Sequence, residues 1–226
     1  KLYRQVKSIK PDLLHLVTIK PVLYGGIIAR IARVPAVVSA ISGLGFLFVE
    51  RGGVKARLFR DGALFLYRLA MRHLNQRVIF QNPTDMSALV GVGGVQKEKS
   101  RMIRGSGVAL QGYPMLAERK GTPVIIMASR LLKDKGVHEF VEAARSIKSK
   151  GVKVRFQLVG EPDPANPESV TNEEVQSWQA EGIVEYLGFR SDISALFSQA
   201  HIVVLPSYYG EGLPKVLIEA AACGRA

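Results

Sequence analysis

Short apolar runs alternate with stretches of helical period along most of this chain, the pattern of an α/β protein built from strand–helix units. In the first half, LLHLVTI (13–19) reads as a buried strand, residues 24–33 as a short helix and AVVSAI (36–41) as a second strand. Residues 54–74 predict a long helix. Leu58, Phe59, Ala63, Leu66, Tyr67 and Ala70 fall on or near one stripe of it, and Arg57, Arg60, Arg68 and Arg72 on the remaining surface. RVIFQN (77–82) reads as a strand, residues 83–90 as a helix and RMIRG (101–105) as a short strand. Neither period is present in VALQGYPMLAERKGT (108–122), where glycine, proline and charges predict a linker.

A second set follows. PVIIMAS (123–129), VRFQLVG (154–160), IVEYLG (183–188) and HIVVLPS (201–207) predict strands. Helices are expected over 135–151, closed by Gly151, then over 172–181, 192–200 and from Pro214 onward. Two parallel-sheet domains are therefore expected, residues 1–112 and 123–226, joined by 113–122. Leu2, Val6 and Ile9 open the chain at helical spacing without a capping residue ahead of them, and the chain stops just after a helix. Both ends thus read as internal to a longer enzyme, with both domains incomplete.

The unusual residues of the second half cluster. Arg130 follows one strand, Gly160 ends the next, Gly188, Phe189 and Arg190 end the third, and residues 208–212 follow the fourth. All fall at the carboxyl ends of parallel strands, the rim where open α/β sheets bind ligands. There, YYGEGLPKVLIEA (208–220) places two carboxylates, Glu211 and Glu219, around a helix start. They could be a general acid and base, a holder for hydroxyls, or an ordinary helix beginning. Pro214 in the first turn, the free N–H groups beside it and the helix dipole favour a phosphate. Gly212 allows close backbone approach to a ligand, and Arg130 and Lys135 are placed to reach the same phosphates. Glycosidase carboxylates flank one bond from opposite sides. Two that rise along one helix entrance suit a grip on a vicinal diol instead.

Charge changes the picture for the first half. The chain has a net charge of +12, and residues 1–112 carry 18 Lys and Arg against 5 Asp and Glu. The rest is close to neutral. Such asymmetry predicts an anionic partner: nucleic acid, an acidic membrane surface or a phosphorylated substrate. The first half has no nucleic-acid-binding motif, so no nucleic acid is expected. A dinucleotide oxidoreductase is disfavoured because no G-x-G-x-x-G follows a strand at the start of a βαβ unit. Cys223 is the one cysteine, which excludes an intrachain disulfide and makes cytoplasmic exposure the default. The longest uncharged run (34–49) is shorter than the ~20 residues of a membrane span and is broken by Pro35, Gly43 and Gly45.

ASRLLKDKG (128–136), LVGEP (158–162), VEYLGFRSDI (184–193) and VLPSYYGEGLPKVLIEAAACG (204–224) together resemble the C-terminal domain of family 4 glycosyltransferases. These have the GT-B fold, two Rossmann-like domains facing a cleft, and Glu211 and Glu219 match their E-x7-E element. KPDLLHL, ISGLGFLFVE, VIFQNPTDM and RGSGV are similar to the family's acceptor domain. ISGLGFLF in particular resembles bacterial members that build surface polysaccharides, such as lipopolysaccharide O-antigens, on undecaprenyl diphosphate.

The resemblance implies retaining transfer of a sugar from a nucleotide diphosphate donor, with UDP and an N-acetylhexosamine favoured, to a lipid-diphosphate-linked saccharide. It implies that Arg130 and Lys135 neutralise the leaving diphosphate. Glu211 would hold the donor sugar with the backbone of Gly212 and Leu213, with Lys215 on the same donor side. Glu219 would bind the ribose, and Gly160 with Gly188, Phe189 and Arg190 would line the nucleotide. No Asp-x-Asp occurs, so no metal or other cofactor is expected. Ser42-Gly43 stands where many members have His-Gly; Ser42, Gly43 and Gly45 mark the acceptor side without a catalytic role. The basic half, through helix 54–74, would dock on the anionic inner face of the cytoplasmic membrane. A piece lacking the family's N-terminal glycine-rich loop is expected to turn over little. The alternatives are a GT-B sugar-nucleotide epimerase, or a basic nucleic-acid- or membrane-binding protein without catalysis.

Overall fold

The computed structural model describes residues 1–44, 54–105, 107–208 and 211–226. The chain forms two compact units. One is Lys1–Ser106 with Gly210–Leu213; the other is Gly107–Tyr209 with Pro214–Ala226.

The first unit runs α1 (Leu2–Ile9), β1 (Leu13–Val17), α2 (Ile19–Ile31), β2 (Ala36–Ile41), α3 (Val54–Ala70), β3 (Gln76–Phe80), α4 (Pro83–Gly91) and β4 (Ser100–Met102). Its sheet has the order β1-β2-β3-β4, with every neighbouring pair parallel. Val37, Ile41, Val78 and Phe80 project from β2 and β3 into a core closed by Leu16, Val22, Tyr67 and Leu89. Ser39 is buried among them, and its hydroxyl accepts a hydrogen bond from Gln76 Nε2 at 3.1 Å, which offsets part of the cost of burying the two side chains. Asn82 caps α4, its Oδ1 accepting from the Asp85 N–H at 2.7 Å, with Pro83 at the first helical position.

Three expectations for this unit are corrected. The helix after β1 begins at Ile19, not Tyr24; the apolar Ile19 continues the strand's run in sequence, and Pro21 sits in a first turn that needs no N–H from it. The long helix stops at Ala70 rather than Leu74, because His73 turns inward, its Nε2 lying 2.9 Å from the Val34 carbonyl oxygen. Leu58, assigned to the buried stripe, is 74% exposed, as is Phe65 at 63%. The side chain of Phe59 and the residues Gly45, Phe46, Leu47 and Phe48 lie outside the described residues.

The second unit runs β5 (Val124–Ala128), α5 (Val137–Ser149), β6 (Arg155–Val159), α6 (Asn172–Ala180), β7 (Glu185–Gly188), α7 (Ile193–Gln199), β8 (Ile202–Val203) and α8 (Lys215–Ala222). The sheet order is β7-β6-β5-β8, again all parallel. Side-chain alternation along β5 feeds two cores. Ile125 and Met127 join Phe140, Val141 and Trp178 of α5 and α6, whereas Val124 and Ile126 join Phe197 of α7, Ala220 of α8 and Cys223 just past it. A capping box starts α6: Thr171 Oγ1 accepts from the Glu174 N–H, and the Glu174 carboxylate accepts from the Thr171 N–H.

Strand β8 covers two residues rather than 201–207. The Val204 N–H still reaches the Ile126 carbonyl at 2.8 Å, but Pro206 cannot donate and ends the ladder. The helix expected from 135 begins at Val137, after a 3₁₀ turn at Lys133–Lys135 that Gly136 closes at φ 80°. A Cβ at 136 would lie 2.3 Å from the Pro206 carbonyl oxygen, so glycine is required there.

The non-periodic stretch before β5 is a strap tied onto the second unit. Ser194 Oγ donates to the Gly112 carbonyl at 2.5 Å and Ser198 Oγ to that of Pro114 at 3.1 Å. Arg225 donates to the Leu116 carbonyl at 2.8 Å, and His201 Nε2 lies 2.9 Å from that of Arg119.

Candidate functional site

The carboxyl ends of β5, β6 and β7 open into a cavity of about 480 Å³ within the second unit. Ser129 and Arg130 line it after β5, Gly160 to Pro164 after β6, Phe189 and Arg190 after β7, and Val216 and Glu219 from α8. Parallel strands deliver their following loops to one rim, so residues some ninety positions apart in sequence meet here.

Glycine shapes the floor. Gly160 has φ 135°, and a Cβ there would lie 1.9 Å from the Ser129 carbonyl oxygen. Its N–H instead donates to the Gly188 carbonyl at 2.9 Å, binding the β6 exit to the β7 exit. Gly188 itself has φ 65° with open space where a Cβ would stand, so it serves the turn rather than a close approach.

The charged groups differ in how they are held. Arg130 is exposed, and its guanidinium has no ion-pair partner among the described residues, which leaves five donors for an anion. Arg190 is engaged in a bidentate pair with Asp192, at 2.7 and 2.5 Å, and the guanidinium holds that carboxyl below its usual range. Phe189 beside it is 70% exposed, an aromatic face available for stacking.

Glu219 is the most enclosed acid of the site, 9% exposed yet lining the cavity. The Tyr113 hydroxyl donates to its Oε1 at 2.5 Å, and Lys215 Nζ, one turn earlier on α8, lies 3.1 Å from the same oxygen. Bonding to the carboxylate, with burial adding to it, pushes the Tyr113 phenol up to about 12. Pro214 is the N-cap of α8 rather than part of its first turn, at φ −62° and ψ 119°.

The structure thus gathers Arg130, Gly160, Phe189, Arg190 and Glu219 around one cavity, with Gly188 directly behind it. Lys135 ends the 3₁₀ turn before α5 and does not line the cavity, and Lys215 is committed to Glu219. Glu211, Gly212 and Leu213 pack within the first unit, at the carboxyl ends of β2 and β3. Asn82 Nδ2 donates to the Glu211 and Gly212 carbonyls at 3.2 Å each, and the Leu213 N–H to Gln81 Oε1 at 3.4 Å. A Cβ on Gly212 would come 2.5 Å from the Ser42 carbonyl oxygen. Ser42 and Gly43 follow β2 at that same edge, Gly43 with φ 132°; Gly45 is outside the described residues.

Sequence reasoning missed Tyr113, Glu161 and Asp163. The two acids stand in the proline-flanked run EPDP just past β6, a signal for a fixed rim loop. Tyr113 carries no such signal, because it reaches Glu219 across 106 positions from a stretch without periodicity.

Two parallel-sheet α/β units, each with a rim at the carboxyl ends of its strands, form a two-domain α/β architecture that solved structures share. HepE of Anabaena, solved with UDP and glucose, matches with a TM-score of 0.77 over 99% of this chain and 61% of that one, at 23% identity. WaaG, a glycosyltransferase involved in lipopolysaccharide biosynthesis, matches at 0.64 over 87% of this chain and 60% of that one, at 14% identity. The fold is GT-B. The profile described as glycosyl transferases group 1 matches residues 114–226, and that described as glycosyl transferase 4-like matches residues 1–82. The chain belongs to the group 1 glycosyltransferases.

Two curated relatives narrow the neighbourhood. The N,N'-diacetylbacillosaminyl-diphospho-undecaprenol alpha-1,3-N-acetylgalactosaminyltransferase of Campylobacter jejuni is 32% identical over 100% of this chain and 60% of its own length. The UDP-Gal:alpha-D-GlcNAc-diphosphoundecaprenol alpha-1,3-galactosyltransferase of Escherichia coli is 27% identical over 99% of this chain and 58% of its own. The chain therefore spans about 60% of the length of the curated relatives it matches.

Proposed function

We propose that the protein to which this chain belongs transfers an N-acetylhexosamine, with retention, from a UDP-linked donor to a saccharide carried on undecaprenyl diphosphate. The observation that carries this reading is the second-unit cavity, where Arg130, unpaired among the described residues, and an enclosed Glu219 line one rim. A nucleoside diphosphate has complementary groups: a diphosphate for the guanidinium, a ribose diol for the carboxylate and a base for the face of Phe189. Stabilising the diphosphate as it leaves is where such a site accelerates the reaction. Charge builds up on the leaving oxygen, and preorganised donors meet it without reorganising. That work falls to Arg130 and the first-turn N–H groups of α8. The related Campylobacter enzyme bears N-acetylgalactosaminyl transfer to an undecaprenol-linked sugar in its name, which supports the sugar and the lipid carrier.

The basic first unit fits the acceptor's surroundings. Arg57, Arg60, Arg68 and Arg72 are all exposed along and just after α3, and Leu58 and Phe65, seven residues apart, share a stripe among them. Cations beside exposed apolar side chains suit an anionic lipid surface, and we assign the docking of the enzyme at the cytoplasmic membrane to this face. Among the described residues no helix is long and apolar enough to cross a membrane.

Incubating the whole protein with UDP-N-acetylhexosamines and an undecaprenyl-diphosphate saccharide tests the reading. Mass spectrometry should find the lipid one N-acetylhexosamine heavier and UDP released in equal amount. An epimerised nucleotide sugar, with the lipid unchanged, would overturn it.

A further inference from the structure

We infer that Tyr113 is a positioning residue for the donor site: it orients the Glu219 carboxylate for the donor's ribose. The inference rests on the reading above, in which Glu219 holds that ribose. Tyr113 lies between the two matched family profiles, which end at residue 82 and begin at 114, and in the strap rather than in the α/β core.

The geometry argues for it in three steps. Tyr113 and Lys215 both address Oε1 of Glu219, at 2.5 and 3.1 Å. No hydrogen bond from a described residue goes to Oε2. A carboxylate held by one oxygen keeps its rotamer while the other oxygen remains an acceptor for a ligand. Next, Glu219 has few conformations to lose on binding, since it is enclosed and its partner phenol is itself held. The Tyr113 ring packs against the core cluster that includes Phe197, Val203 and Ala220, and the strap on either side is tied down at the Gly112 and Pro114 carbonyls. Ordering a long side chain on binding weakens affinity, and preordering removes that loss. Last, the phenol is neutral at physiological pH and competes with no ligand cation. It can donate one proton to the carboxylate and has no other function in the cavity, which it does not line. An O–H donor to an ionised acceptor is the strong class of hydrogen bond.

The test titrates the whole protein with UDP and with 2′-deoxy-UDP, comparing wild type, Tyr113→Phe, Glu219→Gln and the double variant. Tyr113→Phe keeps the packed ring and removes the hydroxyl. It should weaken UDP binding about tenfold, with a modest fall in unfolding temperature at neutral pH from the lost hydrogen bond. The preference for UDP over its 2′-deoxy analogue should shrink toward that of Glu219→Gln, and the double variant should bind no more weakly than Glu219→Gln alone. The affinity ratio remains decisive if a variant is partly unfolded, because unfolding lowers both affinities alike. Unchanged affinity and ratio in Tyr113→Phe, with loss in Glu219→Gln, would overturn the positioning role and leave the ribose assignment standing. Unchanged UDP affinity in Glu219→Gln would overturn both.

Discussion

Gly160 and Ser129 touch more closely than any residue with a side chain could allow. A Cβ at position 160 would stand 1.9 Å from the Ser129 carbonyl oxygen, at a φ of 135°. The contact joins the ends of β5 and β6, and the cavity opens directly above it. Gly160→Ala should therefore destabilise the second unit by about 3 kcal/mol or more, since backbone rather than a flexible side chain must move. Gly188→Ala has the left-handed φ without the clash and should lose only about 1 kcal/mol. Thermal unfolding of the two variants side by side checks the contrast.

Arg130 separates chemistry from stability. Its side chain is exposed and unpaired among the described residues, so Arg130→Ala should change stability by less than about 0.5 kcal/mol. Turnover of the whole enzyme should fall about 100-fold, the scale of losing one donor to a developing charge. Single-turnover kinetics at saturating donor would separate this effect from weaker donor binding.

Tyr113 supplies a pH signature. Its phenol rises from 10.0 in the unfolded chain to about 12 in the folded one. A raised folded value means that the stabilisation is fully present below pH 10 and is lost as pH climbs through about 12. Wild type should be more stable than Tyr113→Phe below that window, and the two should converge above it. Denaturant unfolding across the alkaline range measures the convergence; a constant difference would place the phenol elsewhere.

The basic face of α3 makes a separate claim. Replacing Arg57, Arg60 and Arg72 by serine spares Arg68, which donates to the Val92 carbonyl at 2.7 Å and so supports the fold. At ~1 kcal/mol per cation near an anionic surface, the three together should weaken partition onto phosphatidylglycerol vesicles about 100-fold. Neutral vesicles should show little difference. Sedimentation with vesicles of the two compositions gives the comparison.

Elements with a strong local signal were legible from the residues alone. AVVSAI is β2 to the residue, and helix 172–181 starts where expected, behind the Thr171 and Glu174 capping box, and ends one residue early at Ala180. The rim positions of Arg130, Gly160, Phe189 and Arg190 followed from strand periodicity, since each simply comes after an apolar run. What escaped depends on contacts distant in sequence. Leu58 has the spacing of a buried residue but is 74% exposed among the described residues, and only the packing of α3 shows that. Pro206, which has no N–H for the ladder, stops β8 short, and the close approach of its carbonyl oxygen to Gly136 comes from another strand's loop. Tyr113 was hidden because a hydrogen bond from the strap to α8, across 106 positions, leaves no period in the chain.

The central claim is that the second-unit cavity holds a nucleoside diphosphate with its ribose on Glu219. A crystal structure of the whole protein with UDP tests it most directly. The account predicts a ribose hydroxyl within about 3 Å of a Glu219 carboxylate oxygen, the diphosphate beside Arg130 and the uracil against Phe189. UDP bound in another cavity, or bound here with its ribose turned away from Glu219, would contradict it.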